Sequence, residues 1–411
     1  MKLIIITTIS SILLFACQSK LTEEDYIKLA DEIHKDIVSI DTHSDTPLRL
    51  LDDEFNLAEK HDPYKTGSKV DFPRMKEGGL DAMFFAVFIG QGNRDNKGNE
   101  QARNKALKIF NKIHESVTAN SNIAEIAKTS EDVYRIKKSD KRAVYIGIEN
   151  GYPVGKDISL IEKFYQLGAR YITLCHTKNN DICDSSTDKK GEEHNGVSEF
   201  GEKVITEMNR LGMLIDVSHI SDSAFYDVLR LSKSPVIASH SCARALCDNP
   251  RNLNDEMLKA LAEKDGVIQM CILSDYVKTP EPNPAKDKAM ADLREKYNDF
   301  KDLSDEESKA ARKGWREIQN KFPGKLAKVK DVVDHIDHIV KIAGIDHVGI
   351  GTDFDGGGGI EDCYDVSQMK NITIELLKRG YNKNQIRKIW SENFLKVFKQ
   401  NEKLADINEA S

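Results

Sequence analysis

Short runs of apolar and β-branched residues recur along the chain, each followed by a longer stretch whose apolar positions repeat at the helical period. The runs are IVSIDTHSD (37–45), LDAMFFAVFIG (80–90), AVYIGIENG (143–151), ARYITLCHT (169–177), MLIDVSHIS (213–221), PVIASHS (235–241), GVIQMCIL (266–273) and HVGIGTDFDG (347–356). Near-continuous hydrophobicity over so few residues predicts strands buried on both faces, as in a parallel sheet. Between them, 104–117, 157–168, 199–212 and 332–344 predict amphipathic helices, and 22–35 predicts a leading helix with Thr22 as its cap. Eight strand–helix alternations predict the α/β class and, within it, a (β/α)8 TIM-like barrel. A doubly wound sheet would more often carry a glycine-rich phosphate turn after its first strand, and IDTHSDTP is not one.

Two stretches break the rhythm. The chain opens with Lys2 and the apolar run LIIITTISSILLFA, shorter than the ~20 residues that span a bilayer as a helix and typical of a secretory signal. Leu14-Phe15-Ala16-Cys17 resembles a bacterial lipobox. That resemblance implies removal of 1–16, lipidation of Cys17, a tether over 17–25, and a soluble barrel over 26–411. The chain would then be exported and lipid-anchored to a bacterial membrane, on its periplasmic or outer-membrane face. The second break is 277–330, opened by Pro280, Pro282 and Pro284 and dense in charge. It predicts a solvated helical insertion between strands seven and eight; a lid or an oligomer contact, using Tyr297, Phe300 and Trp315, is the alternative.

Composition adds exclusions. The 411 residues carry 60 Lys and Arg against 67 Asp and Glu, a net charge of −7, so no overall basic footprint for nucleic acid exists. The charged share, 31%, exceeds the usual quarter, and the insertion accounts for much of the excess. Seven cysteines are too few for a disulfide scaffold of this length. Cys175 and Cys271 fall inside predicted strands, where small core residues are expected.

Chemistry gathers at the predicted strand ends, where barrels build their sites. His43 and Asp45 end strand one, two residues apart and expected on one side of an extended strand. Glu149 ends strand three, His176 strand four, His219 strand five, His240 strand six, and Asp353 and Asp355 strand eight. A His-x-Asp pair alone is a weak motif, but several histidines and carboxylates converging on one rim suit Zn²⁺ with positions open for water. His335 and His338 lie three apart on an outer helix and are expected to be surface residues. The glycines at 356–359 predict a flexible loop.

In their order, IDTHSD, GIENG, Leu174-Cys175-His176, DVSHIS, ASHS and GTDFDG resemble the membrane (renal-type) dipeptidases, binuclear zinc enzymes on amidohydrolase-like barrels. The resemblance runs from about Asp41 to Phe398, the insertion excepted. It implies two zinc ions: His43 and Asp45 would hold one, His219 and His240 the other, and Glu149 would bridge them. A metal-bridging hydroxide would attack a dipeptide's peptide bond. His176 would contact the carbonyl, Arg251 and Tyr276 the terminal carboxylate, and Asp353 the free amino group or the transferred proton. Two other readings stay open: a different binuclear-metal hydrolase of the lactonase or phosphotriesterase type, and a lipid-anchored binding protein without turnover. A homodimer is also left open.

Overall fold

The computed structural model describes residues 21–52, 54–300 and 303–410. The expected signal segment 1–16, Cys17 and the tether up to Lys20 lie outside the described residues. The leading helix runs over Glu23–Asp36, capped by Thr22: the Asp25 backbone N–H donates to the Thr22 hydroxyl at 3.2 Å, and the Thr22 N–H donates to the Asp25 carboxylate at 2.8 Å. This reciprocal box satisfies two otherwise orphaned donors. Helix therefore already occupies the last residues of the stretch expected as tether.

Among the described residues nine strands follow: β1 (Ile40–Ser44), β2 (Ala82–Phe88), β3 (Ala124–Ile126), β4 (Arg142–Glu149), β5 (Ala169–Thr173), β6 (Leu214–Asp216), β7 (Ile237–Ser241), β8 (Val267–Met270) and β9 (Val348–Ile350). Eight of them pair in parallel in the order β1-β2-β4-β5-β6-β7-β8-β9. The chain beyond β9 nearly closes the ring on β1: Ser44 bridges Phe354, the Asp45 N–H donates to the Phe354 carbonyl at 2.9 Å, and the Asp353 N–H donates to His43 O at 3.1 Å. The eight predicted runs are these eight strands, and the fold is the expected TIM-like barrel.

β3 was not expected. It pairs only with Arg142–Val144 of β4, whose partner β5 begins pairing at Ile146. The long β4 thus leaves an early edge free, and three residues suffice to cover it. Such a segment is too short to show a period in sequence.

Inside the ring, Ile40, Phe84, Tyr145, Tyr171, Leu214, Ile237 and Val267 form a layer that packs with Phe394 and Phe398 of the last helix, Asn393–Ala410. Phe84 meets Phe394 edge-on at 5.3 Å, and Tyr145 meets Phe398 at 5.9 Å. This aromatic floor leaves the opposite, C-terminal end for chemistry. One close approach depends on glycine: a Cβ on Gly147 would lie 2.1 Å from the Tyr171 ring.

The insertion is helical, with helices Pro284–Lys296 and Asp305–Lys321 packed where Leu293 meets Gly314. His335 corrects an expectation. It is buried rather than exposed, its Nε2 at 2.8 Å from Val277 O and its Nδ1 accepting from the Ala243 N–H at 3.1 Å. The outer helix is pinned here by the segment leaving β8, which covers the ring. His338 pairs with Asp255 at 2.7 Å. The six cysteines among the described residues are all free and buried, in keeping with small core residues at Cys175 and Cys271.

Candidate metal centre

Each donor stands where a buried strand ends or just beyond it. β1 delivers His43, β4 Glu149 and β7 His240, while His176 and His219 follow β5 and β6. Asp45 arrives differently from the expectation. β1 stops at Ser44 and Asp45 turns out of extended geometry at φ −85°, ψ 13°; its carboxylate nonetheless joins His43 and Asp353. His219 and Asp353 hold left-handed backbones, φ 71° and 62°, which costs about 1–3 kcal/mol each and persists where the surroundings impose it.

Three donor groups result: His43, Glu149 and His240; Glu149, His176 and His219; and His43, Asp45 and Asp353, each with its ligand atoms within 4.8 Å of one another. Glu149 and His43 each belong to two of them. Glu149 Oε1 lies 3.1 Å from His219 Nε2, 3.6 Å from His240 Nε2 and 3.6 Å from His176 Nε2, and its Oε2 3.4 Å from His43 Nε2. All the sequence-predicted metal ligands come together, with His176 and Asp353 beside them.

Hydrogen bonding behind the ligands fixes which ring nitrogen faces the centre. The Tyr171 hydroxyl donates its one hydrogen to Thr42 O at 3.2 Å, so it accepts from His43 Nδ1 at 2.9 Å. Ser239 Oγ donates to Asp216 Oδ2 at 2.6 Å and accepts from His240 Nδ1 at 2.8 Å. Both Nε2 lone pairs are thereby turned inward, the arrangement that metal-binding histidines use. Sequence reasoning missed Tyr171, Ser239 and Asp216. Asp216 was visible as a buried carboxylate in the DVSHIS run; Tyr171 looked like any strand aromatic.

The donor set fits a cation. His43 Nε2, Asp45 Oδ1, Glu149 Oε2 and His219 Nδ1 are buried without a hydrogen-bond partner, and such atoms are costly unless something pairs with them. Burial pushes Glu149 up to about 8 and lifts Asp45 well above the usual carboxylate range, with Glu149 beside it adding to the rise. Burial, with Arg251 and neighbouring histidines, drives His219 and His240 well below the usual imidazole range. Acids and bases alike are held neutral by the protein alone; a divalent ion among them reverses the preference of the carboxylates and uses the neutral imidazoles.

Next to this centre, Arg251 is buried; its Nη2 donates to His240 O at 3.0 Å and its Nε has no partner. Its guanidinium stands 5.2 Å from the Tyr276 ring centre. Burial pushes Tyr276 up to about 12, so its hydroxyl stays a neutral donor. His176 is pushed down to about 3 by burial and then by Arg251 and His43. It stacks edge-on with Phe88 at 4.8 Å. Asp355, by contrast, serves structure: it accepts from Thr46 Oγ1 and from the Lys69 N–H, both at 2.8 Å.

A parallel barrel with histidines and carboxylates converging at its C-terminal rim defines a metal-dependent hydrolase. The family model for membrane dipeptidase (peptidase family M19) matches residues 27–411, and the chain belongs to that family as a metallo-dipeptidase hydrolase. It is 30% identical to the dipeptidase tcpJ of Claviceps purpurea over 86% of this chain and 74% of that one. It is 29% identical to the dipeptidase ataJ of Aspergillus terreus over 95% and 91%. Among solved structures, the probable dipeptidase PvdM from Pseudomonas aeruginosa superposes with a TM-score of 0.80 at 30% identity, covering 93% of this chain and all of that one. The metallo peptidase from Rhodobacter sphaeroides, solved with a phosphinate mimic of the dipeptide L-Ala-D-Ala, shares the fold at 23% identity, with a TM-score of 0.71 over 89% of this chain and 99% of that one.

Proposed function

We propose that the chain is a zinc-dependent dipeptidase holding two zinc ions, His43 and Asp45 at one, His219 and His240 at the other, and Glu149 at both. The observation that carries this reading is the place of Glu149 between the two sets, its Oε1 3.1 Å from His219 Nε2 and 3.6 Å from His240 Nε2 and its Oε2 3.4 Å from His43 Nε2. Zinc held by these residues would supply a water activated near neutral pH and positive charge to polarise the scissile carbonyl. The neutral imidazole of His176 donates to the carbonyl oxygen as negative charge develops on it, the kind of contact whose loss costs about 3–4 kcal/mol in other hydrolases. Arg251 grips the terminal carboxylate with its unpartnered Nε edge, joined by the Tyr276 hydroxyl. Asp353 takes the proton from the attacking water and passes it to the leaving nitrogen, or holds the substrate ammonium.

Groups of opposite charge at the two ends measure a fixed span, which one peptide bond fits. The buried, unpaired Nε of Arg251 favours a carboxylate-bearing substrate over a lactone or phosphotriester. The presence of all five proposed ligands, His43, Asp45, Glu149, His219 and His240, favours turnover over binding alone. Lipidation at Cys17 would place the enzyme on a bacterial membrane, facing the periplasm or the outer-membrane face, with free dipeptides as its substrates.

The experiment is metal analysis coupled to a panel of dipeptides, lactones and phosphotriesters. Two zinc ions per chain and chelator-sensitive hydrolysis confined to dipeptides are expected. Full turnover in metal-free protein, or activity on the other ester classes alone, would sink the proposal.

A further inference from the structure

The insertion leaves the barrel after β8 and returns to the same place. The Ala327 N–H donates to Ser274 Oγ at 2.8 Å, and His335 holds Val277 O, so both ends of the excursion are pinned at one root beside Tyr276. Its far parts touch two other connections. Asp299 Oδ2 lies 2.7 Å from the ammonium of Lys178, two residues beyond His176 in the connection after β5. Lys309 Nζ lies 3.1 Å from Asp52 Oδ2, and the Arg316 guanidinium donates to Thr66 O, both in the connection after β1. Arg316 Cδ stands 2.6 Å from where a Cβ on Gly67 would be.

Counted around the ring from β1, β5 is the fourth strand and β8 the seventh of eight. Anchors at the first, fourth and seventh positions leave no gap as wide as half the ring, so they enclose the barrel axis. A body tied to all three crosses the mouth. At the mouth His43, Glu149, His219, His240 and Arg251 are each no more than 4% exposed, while the His176 side chain, whose Nε2 lies 3.6 Å from Glu149, is 21% accessible, so the accessible edge of the site lies two residues from Lys178.

We propose that the helical insertion is an opening roof over the active site, latched by Lys178 and Asp299, and that its closure sets the upper limit on substrate length. The length limit rests on the dipeptidase reading; the roof itself does not. The root is secured by buried hydrogen bonds, whereas the far anchors include two partly exposed ion pairs, the latch at 31% and 49% accessible and Lys309–Asp52 at 63% and 34%. Exposed pairs hold weakly and yield to salt, so the roof swings from its root and opens at the latch. A dipeptide lies wholly beneath it, while a longer peptide props the latch apart.

The test uses the full, metal-loaded chain and three variants: Asp299→Lys, Lys178→Asp, and the two together, which restores an opposite-charge pair. Two quantities are read: kcat/KM for a dipeptide against a tripeptide, and backbone hydrogen exchange in 46–67, 177–187 and 284–296. Each single change is expected to raise the tripeptide-to-dipeptide ratio about fivefold, a size set by the strength of exposed pairs, and to speed exchange; the double change should reverse both. Unchanged exchange in the single variants overturns the roof. Faster exchange with an unchanged ratio overturns the length limit. If the unaltered chain cleaves no dipeptide at all, the dipeptidase reading fails, and the exchange measurements still decide the roof.

Discussion

The hydroxyl of Tyr171 accepts the Nδ1 hydrogen of His43 at 2.9 Å while donating to Thr42 O. The space for this ring comes from Gly147 on the neighbouring strand, where a Cβ would strike it. The orientation of His43, a proposed metal ligand, is thus set by a glycine that touches no donor atom. Tyr171→Phe should leave the fold intact and weaken metal binding about 10- to 100-fold, the usual effect of losing a partner behind a ligand. Competition with a chromogenic chelator measures it; unchanged affinity would remove Tyr171 from the site.

Glu149 tests the shared-ligand arrangement. Glu149→Gln keeps shape and removes the negative charge, so metal content per chain should fall along with turnover. Elemental analysis of protein dialysed against equal free zinc provides the comparison. Equal zinc in both proteins would mean that Glu149 holds no ion.

Arg251 should matter only for substrates that end in a carboxylate. Hydrogen bonds to charged groups contribute about 1.5–3 kcal/mol, so Arg251→Ala should lower kcat/KM for free dipeptides by roughly tenfold to a hundredfold. C-terminally amidated dipeptides, already poor, should lose little more. Parallel losses on both substrates would contradict the assignment.

Stability should respond to acid through His34, far from the metal centre. Burial pushes this imidazole down to about 4; its Nδ1 donates to Gly79 O at 3.0 Å and its Nε2 accepts from the Thr373 hydroxyl at 2.7 Å. Thr373 in turn accepts from Trp390 Nε1 at 2.8 Å, so the neutral ring is fixed from both sides. Above pH 6.5 His34 is neutral in folded and unfolded chains and favours neither. Between 6.5 and about 4 only the unfolded chain takes up the proton, so stability falls as pH drops, by about 1.4 kcal/mol per unit at most. Urea melts across this window should show a shallower dependence for His34→Gln; an identical slope would rule the group out.

Much of the site was legible because histidine and carboxylate are costly at the end of an apolar strand, and eight such strands leave one rim on which to gather. His43, Glu149, His219 and His240 needed no more than that. The orientation of those ligands was hidden, since Ser239 and Tyr171 suit any strand and acquire meaning only through a partner more than a hundred residues away or across a ladder. Asp45 reached the expected group through a turn rather than along the strand. His335 was misplaced because helical periodicity shows which residues share a face but not what will be laid over it. The charge density of 277–330 revealed a solvated helical segment, yet gave no sign of where its far end would land.

The seam between Ser44 and Phe354, together with the floor made by Phe394 and Phe398, bears on how the enzyme comes into being. The donors from His43 to His240 are synthesised well before the residues that seal the cylinder and stop its lower end. A nascent chain, or one shortened before Phe394, has the complete set of ligands but no enclosure to hold them at working distance. Hydrolytic competence is therefore expected only once the final helix is in place.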